Sequence, residues 1–178
     1  MPHPLPPPLR AHDRARSFHV VLVEPEIPPN TGNIARLCGA TRAALHLVGP
    51  LGFRTDEHAV RRAGLDYWHL VEVHRHPDLP TAEAALGRAG GVEAPRSWLF
   101  SAHSRCSYLD ARFRPGDLLV FGRESVGLPP ALLEERSEDV LAIPTLGEVR
   151  SLNLSNAVAI ALYEALRQVG ALSPDRTR

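Results

Sequence analysis

The chain has 178 residues, of which 44% are hydrophobic and 22% are charged, and its 20 basic residues are balanced by 20 acidic ones. This length and composition are typical of one folded domain, and the net charge of zero excludes the overall positive field of a strongly basic nucleic-acid-binding protein. No apolar run reaches the ~18 residues of a membrane span, and the Pro-rich start lacks the apolar segment of a signal peptide. We therefore expect a disordered tail over residues 1–17, one folded domain over residues 18–170, a short tail over residues 171–178 and a cytoplasmic location.

Short apolar runs alternate with helical segments along the chain. The apolar runs predict six strands, at residues 18–23, 45–48, 70–73, 98–101, 117–121 and 140–143. Helices are predicted at residues 34–40, 55–63, 81–86 and 129–136, followed by a long last helix through residues 157–163. Either Asn30 or Thr31 is expected to cap the first helix. The alternation predicts an α/β fold with a mostly parallel six-stranded sheet and helices on both of its faces.

The last predicted helix has almost no polar face. Residues 157–163 contain no charged residue, and a helix that is apolar nearly all round is buried on more than one side. In a chain this short, we expect one side to pack on the sheet and the other to pack against a second copy of the chain. Tyr163 is the candidate contact with that copy.

Three loops are rich in Gly, Asn, Ser and isolated charges, and each follows a predicted strand. They cover residues 24–36, 121–129 and 143–156. Because the carboxyl ends of parallel strands meet at the same edge of a sheet, the three loops are expected to build one ligand site. None of them contains the glycine pattern of a dinucleotide-binding fold or of a P-loop.

The same three loops resemble motifs of a known family. Their patterns are Asn30-x-Gly-Asn-x-x-Arg36, Phe121-Gly-x-Glu-x-x-Gly-Leu-Pro129 and, between Ile143 and Ala157, Ile-Pro followed by Arg-Ser-Leu-Asn-Leu-Ser-Asn-Ala. These patterns resemble the three signature motifs of SPOUT-class RNA ribose methyltransferases. Within that class, residues 24–33 and 61–67 are similar to the tRNA (cytidine/uridine-34) 2′-O-methyltransferases of the TrmL group. The resemblance runs from residue 18 to residue 170, nearly the whole predicted domain.

The resemblance implies a fold and an activity. The fold would include a C-terminal trefoil knot through which the last helix is threaded, and the protein would be a homodimer. The activity would be S-adenosylmethionine-dependent methylation of the ribose 2′-hydroxyl at the wobble nucleotide, position 34 in the tRNA anticodon stem-loop, without a metal ion. Two alternatives stay open: the same reaction at another tRNA or rRNA position, and a non-catalytic dimeric module that binds RNA or a nucleotide.

The resemblance also implies roles for particular residues. Arg36 would act at the reacting ribose, and Asn30 would hold Arg36 by hydrogen bonds. Since an arginine is nearly always protonated, we expect Arg36 to anchor a phosphate and stabilise the 2′-oxygen rather than to act as a base. The alternative is an ordinary surface arginine on a helix. The residues implied to line the S-adenosylmethionine pocket are Ala102, Gly122, Ile143 and Ser151.

Val126 departs from the family pattern. The family loop commonly reads Glu-Thr-Arg-Gly-Leu-Pro, whereas this chain has Glu124-Ser-Val-Gly-Leu-Pro129. Any RNA or donor contact of the usual arginine is therefore in doubt, and Arg123 is the nearest cation that could replace it. Glu124 itself has two interpretations, as a partner for a ligand amine or for Arg150, and as a plain solvated acid.

Basic residues outside the three loops are candidate contacts with tRNA. Arg61 and Arg62 are the main candidates for phosphate binding. Residues 74–76, His-Arg-His, form a second basic cluster, whose histidines we interpret as a solvated strand end rather than as a metal site. Tyr67 and Trp68 are either platforms for unpaired bases or core residues.

Overall fold

The structure is a computed structural model that describes residue 11 and residues 18–53, 70–87 and 95–173. Within these residues the strands are β1 (His19–Val23), β2 (Ala44–Val48), β3 (Val73–His76), β4 (Ser97–Phe100), β5 (Leu118–Phe121) and β6 (Val140–Leu141). The helices are α1 (Pro28–Thr41), α2 (Leu79–Gly87), α3 (Pro130–Glu135) and α4 (Leu154–Gln168), with a 3₁₀ turn at Ser137–Asp139.

The six strands form one sheet in the order β3-β2-β1-β5-β4-β6. Every pair of neighbouring strands is parallel. The chain therefore starts in the middle of the sheet, builds one half as far as β3 and then builds the other half. The predicted α/β fold with a mostly parallel six-stranded sheet is confirmed, and the trefoil knot stays a prediction.

Helices cover both faces of this sheet. Ile34 of α1 and Leu162 of α4 pack on one face, in the same core as Val20 of β1. Leu79 of α2 packs on the other face with Val21, and α3 lies on that side as well. Because successive side chains of a strand point to opposite faces, neighbouring residues of β1 belong to different cores. The prediction of helices on both faces is confirmed.

Helix α1 begins earlier than predicted. Its first residue is Pro28, and Ile27 is the N-cap residue. Asn30 and Thr31 therefore lie in the first turn, and the prediction that one of them caps the helix is wrong. The reason is that proline suits the first helical positions, where the amide hydrogens have no partner within the helix. The side chain of Asn30 is consequently not occupied in capping α1 and can contact other parts of the molecule.

The third strand also differs from its prediction. It occupies Val73–His76 rather than residues 70–73. β3 lies at the edge of the sheet, where polar side chains facing solvent are tolerated and protect the open edge. The helix predicted at residues 55–63 lies outside the described residues, as do the two predicted tails except for residue 11 and residues 171–173.

Three histidines form a row across β1, β2 and β3. His46 Nε2 lies 2.9 Å from His19 Nδ1, and His46 Nδ1 lies 3.0 Å from His76 Nε2. His46 is 1% exposed. Burial, together with the neighbouring histidines, lowers its pKa to about 3. His74 instead contacts Glu72 at 2.7 Å. Residues 74–76 are therefore not simply a solvated strand end, because His76 is joined to a buried imidazole.

We expect the protein to lose stability as the pH falls. His46 stays neutral in the folded state, whereas in the unfolded chain it takes up a proton below its ordinary pKa of 6.5. The stabilisation of the folded state that comes from a neutral His46 is thus complete above about pH 6.5 and is lost as the pH falls below that value. Between about pH 7.5 and pH 5.5 the free energy of unfolding should fall by on the order of 1 kcal/mol through His46 alone. Urea denaturation over this range measures the fall.

Two variants separate His46 from the other histidines. His46→Asn should reduce the pH dependence of the unfolding free energy by about one proton. His103→Asn, which changes an exposed histidine in the loop after β4, should leave that dependence unchanged. Equal pH dependence in wild type and His46→Asn would contradict a neutral His46 in the folded protein.

Candidate functional site

The candidate site lies at the carboxyl edge of the sheet. Loop 1 (residues 24–27) follows β1, loop 2 (residues 122–129) follows β5, and loop 3 (residues 142–153) follows β6. β1 and β5 are neighbours in the sheet, and β4 separates β5 from β6. Since all of these strands are parallel, the three loops leave the sheet at the same edge.

Glu124 of loop 2 joins loop 1 and helix α1. Its carboxylate accepts hydrogen bonds from the backbone N–H of Glu26 at 2.8 Å and from that of Ile27 at 3.2 Å. It also accepts a hydrogen bond from Asn30 Nδ2 at 3.1 Å. Of the interpretations that the sequence left open, the solvated acid is therefore wrong. Glu124 occupies the amide groups that lead into α1, which is a favourable place for a negative charge.

Asn30 joins α1 to loop 3. Its Oδ1 accepts a hydrogen bond from Asn153 Nδ2 at 3.0 Å, while its Nδ2 donates to Glu124. Asn153 Oδ1 accepts from the backbone N–H of Ser155 at 2.9 Å and so caps helix α4. Asn30 is 6% exposed. One buried amide therefore links the three loops that carry the motifs.

Arg36 lies on α1, and its side chain is exposed. The contacts of the Asn30 amide described above run to loops 2 and 3. The implied role of Asn30 in holding Arg36 stays a prediction, and the structure adds a second role, which is to hold the loops together.

The residues implied to bind the methyl donor follow three neighbouring strands of the sheet. Ala102 follows β4, Gly122 follows β5, and Ile143 and Ser151 belong to loop 3, which follows β6. β5, β4 and β6 are consecutive in the sheet. The segment after β4 also pairs with loop 3, because Ala142 N–H donates to Cys106 C=O at 2.8 Å. The four residues thus flank one stretch of the edge.

Loop 2 is closed tightly around its glycines. Arg123 N–H donates to Gly127 C=O at 3.2 Å, and Gly127 N–H donates back at 2.9 Å. A Cβ atom on Gly122 would lie 2.2 Å from the Gly127 carbonyl carbon, so no larger residue fits there. Gly127 has a φ of +75°, which favours glycine. Gly122 is buried, and its lack of a side chain lets the backbone of Gly127 pack directly on it, which closes loop 2.

Loop 3 presents unpaired backbone groups. Residues 144–152 make no hydrogen bond to another residue within the described part of the chain. Most of these residues are exposed. A ligand with an adenine and an amino-acid end needs several donors and acceptors of this kind. Loop 3 is therefore compatible with S-adenosylmethionine, and the roles of Ile143 and Ser151 in binding it stay predictions.

Val126, which stands where the family pattern commonly has an arginine, lies at the tip of loop 2 and is 74% exposed. Arg123 forms an ion pair with Glu24 of loop 1. Its guanidinium is therefore engaged within the chain, and replacement of the missing arginine by Arg123 stays a prediction.

Arg61 and Arg62 lie outside the described residues, so their role in RNA binding stays a prediction.

The sequence analysis missed two residues of loop 1, Glu24 and Glu26. They contact loop 2 through Arg123 and Ser125. Two acidic residues flank Pro25 at the end of the first predicted strand, and the loop after the fifth predicted strand carries an arginine. These opposite charges could have indicated an ion pair between the two loops.

The described residues contain no group of three or more His, Cys, Asp or Glu side chains arranged to hold a metal ion. None of their helices combines the length and the apolar character that crossing a bilayer requires.

Comparison with known proteins places the three motifs in a family. Residues 17–163 match the SpoU rRNA Methylase family, which is most of the chain. The protein therefore belongs to the SpoU rRNA methylase family, and the matched range includes the three loops joined by Asn30.

Particular relatives narrow the comparison. The chain is 51% identical over 158 residues to the tRNA (cytidine(34)-2′-O)-methyltransferase of Acidovorax sp. (strain JS42), covering 88% of this chain and 95% of the relative. A solved structure concerned with the 2-OH methylation of C/U34 on tRNA matches with a TM-score of 0.78 and 45% identity, over 87% of this chain and 97% of that chain. The SpoU methyltransferase AviRb from Streptomyces viridochromogenes, in complex with the cofactor AdoMet, matches with a TM-score of 0.73 and 28% identity, over 88% of this chain and 62% of that chain.

Proposed function

We propose that this protein methylates the ribose 2′-hydroxyl of the wobble nucleotide, position 34 of the tRNA anticodon, with S-adenosylmethionine as the methyl donor. The observation that carries the proposal is the junction at Asn30, where the three family loops meet through Glu124 and Asn153. The relative that is 51% identical over nearly its whole length has this activity in its name. The relatives thus support the reaction, and the junction at Asn30 supports one common site for the three loops.

The chemistry explains what such a site must supply. A ribose hydroxyl is a poor nucleophile until its proton is removed or held by a strong hydrogen bond. When bound, S-adenosylmethionine supplies an electrophilic methyl group on a sulfonium centre. Transfer would form the O–CH3 bond, break the S–CH3 bond to leave the thioether, and release the hydroxyl proton to a water molecule. Alignment of the hydroxyl with the methyl group can lower much of the barrier. Exclusion of bulk water helps because the positive sulfonium and the partly ionised oxygen lose their charges together. The chain must therefore bind, orient and partly dehydrate both reactants.

Arg36 is proposed to act at the ribose. It lies on the exposed side of α1, six residues after the buried Asn30. Because both residues belong to one helix, the backbone of Arg36 has a fixed position relative to the place where the loops meet. A guanidinium binds phosphate oxygens in a forked geometry and keeps its charge at neutral pH. Arg36 would anchor a phosphate of the target nucleotide and stabilise the 2′-oxygen, rather than remove its proton.

The methyl donor is proposed to lie along the carboxyl ends of β4, β5 and β6. Ala102, Gly122, Ile143 and Ser151 would line its pocket, and the unpaired backbone of loop 3 would bind its polar groups. No metal ion is part of this proposal.

A dimer is proposed to complete the enzyme. Ile160 and Tyr163 of α4 are 37% and 47% exposed, although their helix is apolar. They are three residues apart and so lie on the same side of α4. A second copy of the chain packed on this side would bury them. The tRNA partner would be bound through Arg61 and Arg62 in addition to Arg36, in the cytoplasm.

A related reaction is the main competitor. The family model is named for rRNA methylases, which favours ribose methylation at an rRNA or another tRNA position as the second candidate. A non-catalytic binding module is disfavoured because the hydrogen bonds among Glu124, Asn30 and Asn153 are all formed in this chain, despite Val126.

The test is transfer of a labelled methyl group from S-adenosylmethionine to unfractionated tRNA, with mapping of the modified nucleotide. We expect a 2′-O-methyl group at position 34. Arg36→Ala should lower the transfer rate by about 100-fold or more while S-adenosylmethionine still binds, because it removes an interaction with the ribose and phosphate.

Other outcomes are equally informative. Methylation elsewhere in tRNA, or in rRNA only, would keep the reaction and discard the wobble position. Binding of S-adenosylmethionine without transfer to any RNA would support the binding module. Loss of S-adenosylmethionine binding in Arg36→Ala would move Arg36 to the donor pocket and overturn its proposed role.

The dimer is tested by sedimentation of Tyr163→Ala. Truncation of an aromatic residue at the centre of an interface weakens association by about 2 kcal/mol, or about 30-fold in the dissociation constant. Leu109→Ala is the matched control, since Leu109 is 57% exposed in the segment between β4 and β5. An unchanged dimer in Tyr163→Ala would remove Tyr163 from the interface.

A further inference from the structure

We propose that Glu24 and Arg123 form a positioning ion pair, which holds loop 2 on loop 1 and so places Glu124 in the active site. The pair joins the end of β1 to the start of loop 2. Its catalytic consequence rests on the proposed function, whereas the contact itself does not. In this proposal Arg123 is a residue of the protein scaffold and not a contact with RNA.

The backbone fixes the place of Glu24. Glu24 has a φ of +50°, which is uncommon for a residue other than glycine. Its N–H donates to Val48 C=O at 2.8 Å, so the left-handed residue is tied to the end of β2. Such a conformation persists only where the surrounding structure enforces it. The carboxylate of Glu24 therefore starts from a defined position.

Gly49 packs against the stem of this side chain. A Cβ atom on Gly49 would lie 2.8 Å from Glu24 Cγ, and Gly49 has a φ of +76°. Gly49 is in turn held by its N–H, which donates to His76 C=O at 2.9 Å. The strands β2 and β3 thus support Glu24 from the side opposite to loop 2.

Two further contacts join the same loops. Glu26 Oε2 accepts a hydrogen bond from Ser125 N–H at 3.1 Å. In the other direction, Glu124 accepts a hydrogen bond from Glu26 N–H at 2.8 Å. Residues 24 and 26 of loop 1 and residues 123, 124 and 125 of loop 2 form what we call the loop clasp. Glu124 is the middle one of the three loop 2 residues in the loop clasp.

The charges explain why the clasp needs Arg123. Glu24, Glu26 and Glu124 bring three carboxylates together, and carboxylates in proximity repel one another. Arg123 adds a positive charge to this cluster. The side chains of Arg123 and Glu24 are 44% and 28% exposed, so solvent screens the pair and its effect on folding stability is small. Orientation of Glu124 is the larger effect, since small displacements in an active site greatly slow a reaction.

The competing role for Arg123 is a phosphate contact with tRNA. Each phosphate contact makes binding more salt-dependent, so removal of one reduces the slope of log Kd against log salt by about one. A positioning pair makes a different prediction: Glu24→Gln and Arg123→Met should have the same effects, and neither should change that slope.

The experiment compares Glu24→Gln, Arg123→Met, the double variant and Arg123→Lys, with Arg112→Met as control. Arg112 is exposed in the segment before β5, away from the loop clasp. Three quantities are measured: the single-turnover rate of methyl transfer to tRNA, the salt dependence of tRNA binding, and amide hydrogen exchange of the free protein over residues 24–30 and 122–128.

We expect each charge-removing single variant to slow methyl transfer by about tenfold or more, and the double variant to be no slower than the worse single one. Hydrogen exchange should become faster in both segments, and the salt slope should stay unchanged. Arg123→Lys should retain most of the rate, and Arg112→Met should behave as wild type.

Three results would overturn the proposal. The first is unchanged hydrogen exchange in both segments, which decides the matter even if the wild-type protein methylates no tRNA. The second is a rate loss in the double variant equal to the product of the single losses. The third is a salt slope reduced by about one in Arg123→Met but not in Glu24→Gln, which would assign Arg123 to a phosphate. Failure of wild-type methylation alone would count against the proposed function and not against the ion pair.

Discussion

The buried amide of Asn30 is the constraint on which the site depends. With 6% of its surface exposed, Asn30 needs partners for both ends of its amide, because an unsatisfied buried polar group costs about 1–3 kcal/mol. The partners are Glu124 on one end and Asn153 on the other. Loops 2 and 3 must therefore meet α1 at one place. The same Asn153 caps α4, so the start of that helix is fixed by the same junction.

The parallel sheet makes this junction available. Because all six strands run in one direction, the loops after β1, β5 and β6 emerge at one edge, although they are far apart in the sequence. The pair Pro28-Pro29 starts α1 early enough to put Asn30 in the first turn, next to that edge. The loop clasp and the closed turn of loop 2 then limit how far Glu124 can move. The parallel sheet, the early start of α1 and the closed turn of loop 2 thus together set the position of the Asn30 side chain and of its partner Glu124.

The parts of the structure that depend on local pattern were predictable from the sequence. Apolar runs identified five of the six strands at or near their observed positions, and the density of Gly, Asn and Ser identified the three loops. The cap of α1 was wrong because Pro28 competes with Asn30 as a helix-start signal, and β3 was misplaced because its polar residues suit an edge. The contacts of Glu24 and Glu26 could not be predicted, since Glu26 and its partner Glu124 are 98 residues apart and their meeting depends on strand order. The row of histidines could not be predicted either, because it depends on the register of β1, β2 and β3.

The most direct test of the account is the single-turnover rate of methyl transfer by Asn30→Asp. This change keeps the shape of the side chain but replaces the donor to Glu124 with an oxygen, so that two carboxylates face each other. We expect a rate about 100-fold lower than wild type. Glu135→Gln, which exchanges a carboxylate and an amide on the exposed side of α3, is the control and should leave the rate unchanged. A folded Asn30→Asp protein that methylates tRNA at the wild-type rate would contradict the central role of this amide.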